Sequence, residues 1–150
     1  MRLFLVRHGA YQSVYSSERG PALSALGREQ ATAVGHLLKT QNAKPELLIT
    51  SGYLRATETA SCILRVLGTT CNTIEDFTFS PAGDPEEMKL TIEAANVKDL
   101  LVVGHLSSIA HLAHLLDSKA PPTFGYCTIA AFDFSNGAWK FLWAEDSNIY

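Results

Sequence analysis

The sequence predicts an α/β fold: a single three-layer α/β/α domain over residues 1–150, with a mostly parallel sheet and a C-terminal antiparallel hairpin. Three observations predict it. Short apolar runs alternate with amphipathic segments through the first 116 residues. Two of those runs, Leu3–Val6 and Leu100–Val103, stop abruptly at Arg7-His8-Gly9 and Gly104-His105. Asn136-Gly137 separates two strand-like segments near the end, the strongest short hairpin signal.

The elements follow in order. The run Leu3–Val6 is a buried strand, and the polar, turn-prone stretch Ala10–Ala22 is a loop over the strand ends. Ser24 caps a helix to about Gln41, whose Leu26, Ala33, Val34, Leu37 and Leu38 approximate helical spacing. Leu47–Thr50 is a second buried strand. Ser51 caps the next helix, Tyr53–Leu67, which Gly68 ends. Residues Cys71–Phe79 read as extended. Asp84-Pro85-Glu86-Glu87 opens a helix with an aspartate cap, a proline at the first position and acids in the first turn, and that helix ends near Asn96. Leu100–Val103 is a strand, Leu106–Leu116 a helix, and Tyr126–Phe134 and Ala138–Ala144 are the hairpin strands.

Composition narrows the function. Hydrophobic residues make up 47% and charged residues 18%, an ordinary globular balance. A net charge of −3 argues against a general nucleic-acid binder, although twelve Lys and Arg can still form a local basic pocket. No run reaches the ~18 apolar residues of a membrane span. The N-terminus lacks a signal-peptide pattern, and cleavage there would destroy Arg7-His8. Three cysteines, Cys62, Cys71 and Cys127, lack metal-type spacing and read as reduced thiols of a cytoplasmic protein. A catalytic cysteine is the weaker reading, since none sits in a strand-to-helix turn beside a histidine.

A buried strand that ends in Arg-His delivers a cation and an imidazole to the sheet edge where α/β folds build their sites. Attack on a phosphoryl group by nitrogen needs a neutral imidazole in line with the leaving group and cations around the equatorial oxygens. His8 suits the nucleophile. Arg7 and Arg55 supply planar forks that match phosphate geometry. His105 can donate to an equatorial oxygen, more strongly in its positive form. Gly9 and Gly104 permit close backbone approach, and the amides at Ser51–Leu54 add partial positive charge. This scheme needs no metal and no cofactor. Each residue alone has a plainer reading: His105 as a satisfied strand-end histidine, Arg55 as a solvated helix-start arginine. Their agreement in placement favours the site. His111 and His114, with His105, only weakly evoke zinc, because the usual helical pair spans four residues with a glutamate between. His36 reads as a helix-face residue and Arg19 as a solvated loop arginine that can also touch a phosphate. Tyr11, Tyr15 and Tyr53 form an aromatic rim or are ordinary packing residues.

At these residues the chain resembles the histidine phosphatase superfamily, the phosphoglycerate mutase-like family, over nearly its whole length. The opening Arg7-His8-Gly9 matches. So do Pro21-Ala22-Leu23-Ser24-Ala25-Leu26-Gly27-Arg28-Glu29-Gln30-Ala31 (one extra residue after the proline), Ser51–Ala60 with Arg55, and Gly104-His105. The resemblance implies that His8 is the phosphorylated nucleophile and that Arg7, Arg55 and His105 form the phosphate pocket. The short connections and the tail Phe124–Trp143 look most like the SixA-type branch, whose members remove phosphate from phosphohistidine on signalling proteins. The implied partner is a phosphorylated protein or a small phosphorylated metabolite.

Two positions depart from the family pattern: Ala10 stands where many relatives have Glu or Asp, and Ser107 where proline is frequent. No residue stands out as a proton donor; Glu75 and Asp76 are candidates, and Glu58, one turn beyond Arg55, can simply pair with it. A missing strong acid hurts expulsion of an alkoxide, where general acid catalysis contributes ~10²–10⁴-fold, more than expulsion of an imidazole. The leading expectation is therefore a phosphohistidine phosphatase. A small-molecule phosphomonoesterase is the enzyme alternative, and a non-catalytic phosphate-binding module is a third reading. Mutase chemistry ranks lower, because it needs a lid against water.

Overall fold

A computed structural model describes residues 1–15 and 17–150. Strands β1 (Arg2–Arg7), β2 (Leu47–Thr50), β3 (Asn72–Glu75), β4 (Asp99–Gly104), β5 (Ile129–Ser135) and β6 (Ala138–Glu145) form one sheet in the order β3-β2-β4-β1-β5-β6. The pairs β3–β2, β2–β4 and β4–β1 are parallel, while β1–β5 and β5–β6 are antiparallel. Helices α1 (Ala25–Thr40) and α2 (Leu54–Leu67) cover one face; α3 (Pro85–Ala95) and α4 (Ser108–Leu116) cover the other. The mostly parallel three-layer fold is thus as the sequence predicts.

The continuous apolar runs have a simple cause: successive strand side chains point to opposite faces, and both faces are buried. In β1, Leu3 and Leu5 join the core under α3 and α4, while Phe4 and Val6 join the core under α1 and α2. β4 divides the same way, Leu100 and Val102 to one side and Leu101 and Val103 to the other. Ser24 caps α1 by accepting the Gly27 N–H, and Asp84 caps α3 by accepting the Glu86 N–H, with Pro85 in the first turn. Gly68 ends α2 in the left-handed conformation, φ 68°. Asn136 and Gly137 both have positive φ, 54° and 74°, as a two-residue hairpin turn of the primed type requires.

Four boundaries differ from the sequence reading. The α2 N-cap is Tyr53, whose side chain makes no capping bond; Ser51 lies outside the helix. Only Asn72–Glu75 of the Cys71–Phe79 stretch is strand, because Asp76 accepts the Thr78 N–H and starts a 3₁₀ turn over Phe77–Phe79. α4 begins at Ser108 rather than Leu106. Tyr126 precedes β5, since Cys127 turns back and donates its N–H to the Arg7 carbonyl. Among the described residues no helix is long and apolar enough to cross a membrane.

Candidate active site

The parallel register assembles the site. Arg7 lies opposite Gly104, and Thr50 opposite Val103. The residues that follow each strand, His8, His105 and Ser51, therefore emerge side by side at the carboxyl edge of the sheet. The His8 N–H donates to the Gly104 carbonyl at 3.0 Å, and the two imidazole centroids are 4.9 Å apart. Antiparallel β5 starts at this edge, which brings Phe124 and Tyr126 over the same place. Arg55, in the first turn of α2, completes the group.

His8 is buried, at 3% exposure. Its Nδ1 lies 2.8 Å from the Gly9 carbonyl, an acceptor only, so Nδ1 carries the proton and donates. Burial drives the ring's pKa down to about 3, and the Arg55 and Arg7 cations push the same way against the Gly9 hydrogen bond. The ring is thus neutral, and its Nε2 lone pair accepts the Arg55 Nε–H at 3.4 Å. His105 has its pKa lowered to about 3 by burial, then by His8, Arg55 and Arg7. The positive form considered in the sequence analysis is therefore absent from the free protein near neutral pH.

The arginines are held by different means. Arg7 donates from Nη1 to the Phe124 carbonyl at 3.0 Å, and its guanidinium lies 4.2 Å from the Tyr126 ring centroid. Its buried Nε has no partner among the described residues. The Arg55 guanidinium lies between Tyr11 and Tyr53, 5.0 and 4.9 Å from the two ring centroids. Stacking on aromatic rings orients a guanidinium while leaving its donor edge to a ligand. The four predicted residues Arg7, His8, Arg55 and His105 are thus one cluster. Tyr11 and Tyr53 form part of its rim; exposed Tyr15 makes no ring contact with them among the described residues.

The loop is anchored behind His8. The Ala10 N–H donates to Gln30 Oε1 at 2.9 Å, and Gln30 Nε2 donates to the Ile149 carbonyl at 2.8 Å. Gly9 and Gly27 meet backbone to backbone: a Cβ on Gly27 would lie 1.9 Å from the Ala10 oxygen. Any side chain there requires the loop to move.

The carboxylates near the site have other partners. Glu75 pairs with Arg19, whose Nε also donates to the Gly52 carbonyl at 2.7 Å. These residues line a cavity of about 310 Å³ with Glu18, Ser51, Tyr53 and Phe77. Asp76 caps its own 3₁₀ turn. Glu58 accepts the Leu23 N–H at 2.8 Å and pairs with Arg28, not with Arg55. Among the described residues, no carboxylate forms an ion pair with Arg7, Arg55, His8 or His105. His111, His114 and His36 are exposed on their helices.

Sequence reasoning missed Tyr126, because it was counted inside a strand, and the contact of Ser51 with His105. The Ser51 Oγ lies 2.7 Å from His105 Nε2 and accepts the Tyr53 N–H at 3.2 Å. A serine directly after a buried strand whose neighbour ends in Gly-His was the available signal.

Comparison with known proteins bears on family and fold. A 2,3-bisphosphoglycerate-dependent phosphoglycerate mutase of Chelativorans sp. (strain BNC1) is 40% identical over 79 residues, 49% of this chain and 38% of that protein. Phosphohistidine phosphatase SixA of Escherichia coli (strain K12) is 26% identical over 148 residues, 95% of this chain and 92% of that protein. The solved structure of the protein histidine phosphatase SixA complexed with tungstate superposes with a TM-score of 0.90 at 24% identity, covering 98% of this chain and 97% of that one. The profile of the histidine phosphatase superfamily (branch 1) matches residues 3–96, well over half of the chain. This chain therefore belongs to the histidine phosphatase superfamily.

Proposed function

We propose that this chain is a phosphohistidine phosphatase acting in the cytoplasm on a phosphotransfer signalling protein, with residues 1–150 working as one domain. His8 Nε2 attacks the phosphorus of the substrate phosphohistidine. A bond forms from Nε2 to phosphorus as the substrate N–P bond breaks, and the departing imidazole takes a proton from water. Water then attacks the phosphorylated His8, the Nε2–P bond breaks, and inorganic phosphate leaves. Arg7 and Arg55 hold the equatorial oxygens throughout, and His105 donates to one of them.

The observation that supports this reading best is the state of His8: neutral, its proton fixed on Nδ1 by Gly9, and its Nε2 beside Arg55. The choice of a nitrogen leaving group rests on the carboxylates. Glu75 and Asp76 are engaged elsewhere, and an imidazole departs without the strong acid that an alkoxide needs.

The test is phosphate release from a phosphohistidine-bearing phosphotransfer domain and from a panel of small phosphomonoesters, with native protein and with His8→Ala. Release from phosphohistidine that requires His8 is expected. Preference for a phosphomonoester would transfer the reading to a metabolic phosphatase. No release from either, with phosphate still bound, would leave a phosphate-binding module.

A further inference from the structure

Ser51 is buried, and its hydroxyl makes two contacts. A serine oxygen has one proton and two lone pairs. The Tyr53 N–H occupies one lone pair. Among the described residues the only further partner of the Oγ is His105 Nε2, at 2.7 Å, so that nitrogen is where the serine proton goes. In the reverse assignment, Nε2–H would donate to Ser51 and the serine proton would have no acceptor. His105 Nδ1 would then be a bare lone pair, beside the cations that gather an anion.

The other ring nitrogen makes the case independently. Among the described residues His105 Nδ1 is buried and has no partner, on a residue only 1% exposed. Arg7 Nε, in the same cluster, is also buried without a partner among the described residues. Unpartnered buried polar atoms are rare and call for an explanation, such as a catalytic role or a bound water or ion.

We propose that Ser51 is a positioning residue: its hydroxyl donates to His105 Nε2, fixes the ring as the Nδ1–H tautomer, and so makes Nδ1–H a donor to an oxygen of the bound phosphoryl group. This rests on the reading of Arg7, His8, Arg55 and His105 as a phosphate pocket. The two histidines are then set by one device used in mirror image. In His8 a carbonyl holds the proton on Nδ1 and keeps Nε2 unprotonated, toward Arg55; in His105 a hydroxyl occupies Nε2 and leaves Nδ1 to donate. The tautomer of an imidazole follows the bond made by its other nitrogen. The sheet supplies the placement, because Ser51 directly follows β2, and Gly52 turns the chain away at φ 91°.

The experiment is histidine ¹⁵N spectroscopy near pH 7, with and without inorganic phosphate, on native protein, Ser51→Ala and Ser51→Thr. In native protein His105 is expected as the Nδ1–H tautomer. Ser51→Ala is expected to move the proton to Nε2 and to weaken inorganic phosphate binding about tenfold. Turnover should fall by up to roughly 10²–10³-fold in that variant, as when one preorganised donor is lost. Ser51→Thr, which keeps the hydroxyl, should restore the tautomer and the binding. An Nε2–H tautomer in native protein would overturn the proposal, and so would unchanged tautomer and phosphate affinity in Ser51→Ala. The native spectrum decides even if Ser51→Ala fails to fold. Tautomer and phosphate binding are read without a substrate, so an inactive native enzyme would overturn the reading of function and leave this result standing.

Discussion

Thr59 Oγ1 accepts the Gly9 N–H at 3.0 Å, joining the residue after the nucleophile to the middle of α2. The same hydroxyl donates to the Arg55 carbonyl at 2.7 Å. Thr59 thus fixes the spacing between the turn that carries His8 and the helix turn that carries Arg55. Thr59→Val keeps the shape and leaves the buried Gly9 amide without an acceptor, at a cost of about 1–3 kcal/mol. Denaturant unfolding should show that loss, and phosphatase assays a larger fall in kcat than in KM. Thr59→Ser should behave like native protein; equal damage from Ser and Val would mean that packing, not the hydrogen bond, matters there.

The backbone contact behind His8 makes a sharper demand. A Cβ on Gly27 would lie 1.9 Å from the Ala10 oxygen, so the loop must shift to admit even a methyl group. Gly27→Ala should destabilise the fold by about 3 kcal/mol or more and depress turnover. A melting temperature within a degree or two of native would show that the loop gives way easily.

Acid has a predictable effect. The folded pKa of His8 and of His105 is lowered to about 3, below the ordinary value of 6.5. Between those values the unfolded chain binds more protons than the native one, so stability is full above pH 6.5 and falls as pH drops toward 3. His8→Phe and His105→Phe should each flatten this slope in denaturant titrations from pH 7 to pH 4. The acid limb of kcat/KM should also lie well below 6.5; an inflection at 6.5 would mean that His8 titrates as an ordinary exposed imidazole.

Glu75 tests the role of a carboxylate. It is exposed and paired with Arg19, an arrangement that contributes at most about 1 kcal/mol to stability. Glu75→Gln should leave phosphohistidine turnover within roughly threefold of native. A loss in the ~10²–10⁴-fold range of general acid catalysis would make Glu75 the proton donor and favour an oxygen leaving group.

How much of this was legible in the sequence depends on range. Caps and turns announced themselves: Ser24, Gly68, Asp84-Pro85 and Asn136-Gly137 each act within a few residues of themselves. Arg7, His8, Arg55 and His105 were legible because strand and helix ends expose their residues to one edge of the sheet. Ser51 was misread as a cap because its partner His105 is 54 residues away and is met only through the register of β2 against β4. Glu58 lies one turn from Arg55, yet it faces the Leu23 amide and Arg28 across the gap to the loop and α1. Tyr126 was hidden by composition: an aromatic residue beside a strand reads as strand until the Cys127 amide is seen to turn back to Arg7.

Gln30 gives the chain an unexpected seam. Its amide joins the Ala10 N–H on one side to the Ile149 carbonyl on the other, so α1 acts as a crosspiece between the loop behind the nucleophile and the final residues. Those three stretches are far apart in sequence and behave as one piece of masonry. A graft that exchanged only Ala10–Ala22 for the loop of a relative would bring half of a joint. Transplanted with the matching glutamine and tail, the same loop would arrive already keyed to its support. The support of this loop is thus a block defined by contact, not by contiguity.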